Sequence, residues 1–296
     1  GHILCIMAEK DVTIGFLDSG AGGLSVLDCF LKHGGFYRAV YFGDNDNAPY
    51  GGKSVRELTA LAVSGVDKLL SAGAEIAVLA CGTLSVSTLT KVRKIFPRTP
   101  VFGVFPPVER CLISGRRPAA LFATPRTAAC LRGAEGLRVF ALPDLAKDIE
   151  DNLFSLGNVC LGRHIGDTVD PAAVILGCTH YALIADAFAF RFPQAKIYFG
   201  AEDALRTVRA FLRYNRVFAE GNAGERGFSQ CSDHFAYKNA IPLTTFDAKW
   251  KEVQKIGKKC EKTGEFYGKT VKFIGDCAEL NFRVYANICS KFTNPA

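Results

Sequence analysis

The chain has 296 residues, of which 49% are hydrophobic and 22% charged, and a net charge of +7. That length can bury a sizeable core, and the ordinary charged fraction argues for a folded protein of two domains rather than a disordered or fibrous one. No apolar run approaches the roughly 18–20 residues that span a membrane, so no membrane association is expected. The N-terminus, Gly1-His2-Ile3-Leu4-Cys5-Ile6-Met7, lacks the basic start and long apolar stretch of a secretory signal. Met7 is the only methionine and reads as the natural start. The eleven cysteines are odd in number, scattered and without a CxxC pair. That argues against a disulfide framework, a zinc ribbon or a redox motif, and reduced thiols in a cytoplasm are expected. Positive charge gathers between Lys249 and Lys272, where eight lysines stand against three glutamates. A solvated helical face is the expectation there, and nucleic acid is not expected as a partner.

In chain order, residues 12–17 predict a strand that ends at Asp18-Ser19-Gly20-Ala21-Gly22-Gly23, followed by a helix over 24–31. A second strand is predicted over 39–43, a helix over 55–72 and a strand from Ile76. Residues 101–105 read as a short strand stopped by Pro106-Pro107. Further strands are predicted over 119–123, 138–142 and 173–176. Strand and helix alternate, which predicts parallel sheets with helices on both faces. The break near 99–107 predicts passage into a second domain, with a return near 198–204. A helix is predicted over 204–214, a polar loop over 219–227 and an amphipathic helix over 246–259. Residues after Lys259 show no clear pattern.

Two segments look like copies of one device. Ile76-Ala77-Val78-Leu79-Ala80 breaks at Cys81-Gly82-Thr83, and Ala173-Val174-Ile175-Leu176-Gly177 breaks at Cys178-Thr179-His180. Such runs predict buried parallel strands whose C-terminal ends open a site. Two strands that each offer a thiol predict a cleft with one sulfur on each wall. Opposed thiols suit the removal of a proton from one face of a carbon and delivery of another to the opposite face. A metal reading of Cys178 and His180 lacks further ligands at workable spacing. A cysteine-hydrolase reading needs one activated thiol and leaves Cys81 without a role.

The glycine-rich Asp18–Gly23 loop follows a strand and opens a helix, which favours an anion. No Gly-Lys-Ser/Thr ends it, so a substrate carboxylate suits it better than a nucleotide. The loop Gly43-Asp44-Asn45-Asp46-Asn47-Ala48-Pro49-Tyr50-Gly51 is dense in turn formers and is a candidate wall for a small polar cavity.

These residues as a set resemble the glutamate racemases, of the aspartate/glutamate racemase superfamily. The resemblance rests on Phe16-Leu17-Asp18-Ser19-Gly20-Ala21-Gly22-Gly23, and on Tyr41-Phe42-Gly43-Asp44 with Ala48-Pro49-Tyr50-Gly51. It continues through Ala80-Cys81 with Thr83, Gly103-Val104, Ala123-Thr124 with Thr127, and Leu176-Gly177-Cys178-Thr179-His180-Tyr181. It implies two similar α/β domains of parallel-sheet sandwich architecture with the active site between them. The first would comprise 7–100 plus about 205–296, and the second 101–204. It further implies a cofactor-independent two-base enzyme that converts L-glutamate to D-glutamate for peptidoglycan, as a cytoplasmic homodimer. Cys81 and Cys178 would be the acid/base thiols, with Asp18 assisting near the first and His180 near the second. Ser19, Gly43, Tyr50, Gly51, Gly82, Thr83, Thr127 and Thr179, together with Asp18, would line the substrate site. Pro143-Asp144-Leu145-Ala146-Lys147-Asp148-Ile149-Glu150 resembles the segment that supplies a further carboxylate, here Glu150.

The chain departs from the family pattern at Gly82, where asparagine is usual. The loss of that amide removes a group able to bond the substrate. Asparagine at this position would be expected to restore binding or turnover. Pro107, Pro125 and the long region from about residue 228 also differ from the usual pattern. Two alternatives therefore stand beside the racemase. One is a homologue that binds an acidic amino acid or a protein partner with little turnover. The other is an enzyme of this fold with another substrate, such as an aspartate racemase or a thiol-dependent lyase or hydrolase.

Overall fold

A computed structural model of the chain describes residues 12–35, 38–133, 135–166, 170–220 and 261–293. The first sheet opens with β1 (Thr13–Asp18), α1 (Leu24–His33) and β2 (Arg38–Gly43). It continues through α2 (Val55–Ser71), β3 (Ile76–Leu79), α3 (Gly82–Ile95) and β4 (Val101–Gly103). The second is built from α4 (Val108–Ile113), β5 (Ala119–Ala123), α5 (Pro125–Leu131), β6 (Leu137–Ala141) and α6 (Leu145–Asp151). It is completed by β7 (Ala173–Leu176), α7 (Thr179–Ala182), α8 (Ala185–Arg191) and β8 (Lys196–Phe199). The chain then runs through α9 (Ala201–Glu220) and returns to the first sheet as β9 (Glu261–Phe266) and β10 (Lys269–Ile274), ending in α10 (Ala278–Thr293).

The strand order is β4-β3-β1-β2-β10-β9 in one sheet and β6-β5-β7-β8 in the other. All pairings are parallel except β9 with β10. The four strands β1–β4 and the four strands β5–β8 therefore follow one topology. In each set the first strand is central, the second lies on one side, and the third and fourth lie on the other. The order reverses between β1 and β3, and again between β5 and β7. Ligands in open α/β sheets sit outside the carboxyl ends of the strands at such reversals. Asp18 ends β1 and Cys81 follows β3 by two residues, while Thr124 follows β5 and Cys178 follows β7. The α/β class and two-sheet architecture match the sequence reading, and the topological repeat explains why two cysteine devices recur.

Local sequence accounts for the elements that place these ends. β1 and β3 are buried along nearly their whole length, as their apolar runs require. Gly15 lets α2 close on the sheet, since a Cβ there would stand 3.1 Å from that of Leu69. α2 starts at a capping box: Glu57 N–H donates to Ser54 Oγ, and Ser54 N–H donates to Glu57 Oε2.

Several expectations change. Residues 104–105 lie outside β4, and β8 keeps residues 196–199 in the second sheet, so the return begins after Phe199. Its helix spans Ala201–Glu220, so Ala219 and Glu220 are helical rather than loop, and 221–227 lie outside the described residues. So does the helix predicted over 246–259. The patternless tail is a hairpin and a helix. Its hairpin turn needs Tyr267 and Gly268 at positive φ. Its apolar residues Val271, Phe273, Val284 and Tyr285 are buried. The lysines described in the basic stretch, Lys262, Lys269 and Lys272, lie on strands, not on a helical face. Lys269 is buried, with its Nζ donating to the carbonyls of Leu31 and Gly34. Among the described residues no helix is long and apolar enough to cross a membrane.

Candidate active site

The carboxyl ends of the two sheets face each other, and hydrogen bonds join them. Cys81 is the N-cap of α3 and Cys178 the N-cap of α7, both in extended conformation, and they are 5% and 8% exposed. A strand that ends one or two residues before a helix leaves its linking side chain projecting at the turn. Both devices use that position for a thiol.

On the first wall, Cys81 Sγ lies 3.9 Å from Ser19 Oγ. Burial pushes the Cys81 thiol up to about 12, and the nearby Asp18 adds to the shift. Burial therefore favours Cys81 as a thiol at neutral pH. Ser85 braces this turn, since its hydroxyl reaches the carbonyls of Leu79 and Cys81 and accepts from Val104 N–H. Asp18 is fully buried and accepts from Gly20 N–H at 3.0 Å and from Thr179 Oγ1 at 3.1 Å. Burial raises its carboxyl above the usual range, against the opposing pull of His180 and the Gly20 and Gly23 amides. The Thr179 bond crosses from one wall to the other.

On the second wall, Cys178 Sγ and His180 Nδ1 are 3.8 Å apart. The opposite ring nitrogen, Nε2, donates to Glu150 Oε1 at 2.5 Å. Burial disfavours the imidazolium, but the bonds to Cys178 and Glu150 outweigh it and hold His180 well above its ordinary value. Burial likewise opposes the Glu150 charge, while His180, Ala21 N–H and Asn45 together hold its carboxyl below the usual range. A buried carboxylate–imidazolium pair thus stands beside Cys178.

The glycine loop holds an anion, but that anion is Glu150: Ala21 N–H donates to Glu150 Oε1 at 2.6 Å. Gly20 and Gly22 make room for it. A Cβ on Gly20 would meet Glu150 Oε1 at 1.9 Å, and one on Gly22 would meet His180 Nδ1 at 2.3 Å. At Ala21 N–H the anion beside this loop is thus a side-chain carboxylate of the chain itself. Tyr41 ties the loop to β2 by donating to Gly20 O.

The remaining candidates divide. Thr83, Thr124 and Thr127 form a buried hydroxyl chain at 3.0 and 3.2 Å that joins the walls. Gly51 packs on Thr124, with 3.0 Å between its would-be Cβ and the threonine Cβ, and Gly43 packs on Gly20 O. The Tyr50 hydroxyl is committed to Asp44 Oδ2 at 2.5 Å rather than to a partner in the cleft. Gly82 lies against the other device: a Cβ there would stand 3.1 Å from Gly177 O. Its φ is not positive. Sequence reasoning missed Thr124, Ser85 and Asn45 as parts of this arrangement. Thr124 was within a quoted motif, at a strand end equivalent to that of Asp18. Asn45 was within the loop marked as a candidate cavity wall, but its partner Glu150 is remote in sequence, so no local signal marks the bond. Among the described residues no group of three His, Cys, Asp or Glu side chains is arranged to hold a metal ion.

No protein-family model matches the chain. It is 30% identical over 230 residues to the glutamate racemase of Leptospira interrogans, a match that covers 74% of this chain and 90% of that protein. It is 30% identical over 256 residues to the glutamate racemase of Cereibacter sphaeroides, covering 77% and 94%. Among solved structures, it is similar to Thermus thermophilus glutamate racemase in complex with β-chloro-D-alanine, with 30% identity and a TM-score of 0.57 over 73% of this chain and 85% of that one. The Escherichia coli glutamate racemase in complex with L-glutamate and an activator matches with 25% identity and a TM-score of 0.60, over 69% and 83%. With relatives of this identity matched over most of both chains, and with two thiols at repeated strand ends, the chain belongs to the glutamate racemase family.

Proposed function

We propose that this protein interconverts L- and D-glutamate without a cofactor, using Cys81 and Cys178 as opposed acid/base groups. The observation that carries the reading is the pair of buried thiols at equivalent strand ends of two sheets with one topology, facing each other across bonded walls. One sulfur, as thiolate, takes the α-proton from one face of the substrate. The other, as thiol, delivers its proton to the opposite face, and the roles reverse for the other enantiomer. Burial favours the thiol form of Cys81 and so suits it to the acid role, and the charge of a substrate ammonium beside it favours the thiolate that the reverse direction needs. His180, held cationic by Glu150, offers its positive charge and its proton to the Cys178 sulfur. Asp18 serves the Cys81 wall. Ser19, Gly43, Tyr50, Gly51, Gly82, Thr83, Thr127 and Thr179 surround the substrate, with Tyr50 acting through Asp44. Water exclusion strengthens each bond to the developing carbanion.

The same reading assigns residues 7–100 with about 205–296 to one domain and 101–204 to the other. It assigns the protein to a cytoplasmic homodimer that supplies D-glutamate to peptidoglycan. Gly82 favours a second reading, a homologue that binds an acidic amino acid or a protein partner with little turnover, because the position next to Cys81 offers the substrate no side chain.

Circular dichroism of L-glutamate with the purified protein tests both. The signal is expected to decay to zero, to do so equally in chelator, and to decay more slowly with L-aspartate. Cys81→Ser and Cys178→Ser are each expected to slow the decay by several orders of magnitude, as the loss of an obligatory acid/base group does. Normal racemisation by either variant overturns the opposed-thiol mechanism. Loss of activity in chelator with recovery in zinc overturns the metal-free one. Faster decay of aspartate overturns the substrate. Signals unchanged for both amino acids with the parent protein overturn the racemase reading and favour the second.

A further inference from the structure

The hydrogen bonds around Glu150 continue out of the cleft into the C-terminal helix. Asn281, near the start of α10, is 1% exposed. Its Nδ2 donates to Asn45 Oδ1 at 3.0 Å, and Asn45 Nδ2 donates to Glu150 Oε2 at 3.2 Å. The other oxygen of that carboxylate takes His180 Nε2, and the far side of the ring faces Cys178. Asn281, Asn45, Glu150, His180 and Cys178 thus form one chain of side chains. It starts on the helix behind the first sheet and ends at a thiol of the second.

The direction of the bonds is set at Glu150, whose charged carboxylate only accepts, and Asn281 meets it from the other end. An asparagine amide has a donor end and an acceptor end. Asn45 must turn its NH2 toward Glu150, and the donor from Asn281 holds the opposite end. Without that donor the Asn45 oxygen is left without its anchor, and the amide is held at Glu150 by one end alone. The fold makes room for the link: a Cβ on Gly43 would stand 2.8 Å from Asn281 Nδ2 and 3.1 Å from Asn45 Oδ1. The link also has a cost. Asn281 Oδ1 is buried with no partner among the described residues, a state that a purely apolar side chain would avoid.

We infer that Asn281 is a positioning residue: through Asn45 it fixes the Glu150 carboxylate against His180 and so aligns the imidazole beside Cys178. The kinetic part of this inference rests on the racemase reading above. The titratable and charged groups around the chain are Asp18 and Tyr41 from the first sheet and Cys178 beyond β7. Asp46 and Cys277 sit beside the two asparagines, and Lys147 and Asp151 share α6 and a cavity wall with Glu150. With the link cut, Glu150 holds its charge less firmly at low pH and His180 loses its proton sooner at high pH. The active window narrows from both ends.

The test replaces Asn281 with leucine, of similar size and without a donor, and Asn45 with alanine. Asn281→Leu is expected to lower kcat about tenfold with KM within about twofold, the pattern of a misplaced acid/base group. Its pH profile is expected to be narrower than the parent's. The double variant is expected to be no worse than Asn45→Ala alone, because both act through one chain. A second readout needs no turnover: the NMR titration of the His180 imidazole, assigned by its loss in His180→Gln. Its midpoint is expected to fall in both single variants. An unchanged midpoint in folded Asn281→Leu overturns the inference, and Asn281→Ala takes its place if the leucine variant does not fold. A midpoint that falls in the variants, while the parent protein leaves glutamate untouched, keeps the link and overturns the racemase reading instead.

Discussion

Gly82 sits one residue from a candidate catalytic thiol and 3.1 Å, through the Cβ it lacks, from the carbonyl that precedes the other. From the sequence, asparagine there would restore a bond to substrate. The structure adds a cost, since any side chain must first move Gly177 O by a few tenths of an ångström and so shift Cys178. The strain is one of contact, because the Gly82 φ is not positive. Gly82→Ala carries the contact without the amide and is expected to lower kcat/KM. Gly82→Asn carries both and is expected to lie above Gly82→Ala. Steady-state kinetics of the three proteins separate the two effects, and an alanine variant equal to the parent removes the contact argument. The Glu150–His180 pair makes a separate prediction about pH. The folded value of His180 is raised, so its stabilisation is complete below its ordinary 6.5 and is lost as pH rises through the folded value. That of Glu150 is lowered, so its stabilisation is complete above its ordinary 4.5 and is lost as pH falls through the folded value. A double-mutant cycle with Glu150→Gln and His180→Gln, followed by thermal melting, is expected to give its largest coupling energy between pH 4.5 and 6.5. A coupling that does not vary with pH would show that the two side chains meet as neutral partners.

At the scale of elements, strand-to-helix turns carry the candidate chemistry, and the helices that follow are fixed by local signals. α2 is the best-signalled of them. Ser54 and Glu57 exchange bonds at its start, and its boundaries differ from the sequence reading by one residue at the far end. Ser54→Ala is expected to cost about 1 kcal/mol in urea denaturation, as lost N-caps do, with kcat/KM unchanged. A cost near zero would show that α2 is held by packing alone. The helices α4 to α8 are short, from four to seven residues each. Such lengths show little apolar periodicity, which is why none of them was legible as a helix. β8 has four residues, and its burial is mixed. It is a strand because β7 offers it a partner, which a local pattern does not reveal.

For the whole molecule, the C-terminal segment completes the first sheet. β10 pairs in parallel with β2, and α10 lies behind the hairpin. Phe273 is fully buried at the centre of this joint, in ring contact with Tyr41, Phe266, Phe282 and Tyr285. Tyr41 in turn holds the glycine loop beneath Glu150. Phe273→Ala is expected to cost about 3–5 kcal/mol of stability, the usual result of emptying an aromatic site in a core. In the fraction that folds, loss of support to Tyr41 is expected to lower kcat as well. Urea denaturation followed by far-ultraviolet circular dichroism measures the first and the racemisation assay the second. A loss below 1 kcal/mol would place the hairpin outside the cooperative core.

The sequence by itself determined the α/β class, the strand ends at Asp18, Cys81 and Cys178, and the repeated thiol device. Each is a local event, an apolar run that stops at a polar turn, and local events are written in neighbouring residues. Only the tertiary structure decided that the glycine loop holds Glu150, and that Asn45 and Asn281 extend the site to the last helix. It also decided that the tail after Lys259 builds a sheet edge. Those facts depend on pairs of residues more than a hundred positions apart, Ala21 with Glu150 and Asn45 with Asn281 among them. Periodicity and spacing describe what a segment does with itself. Which segment it meets is settled by the burial and hydrogen bonding of the folded whole.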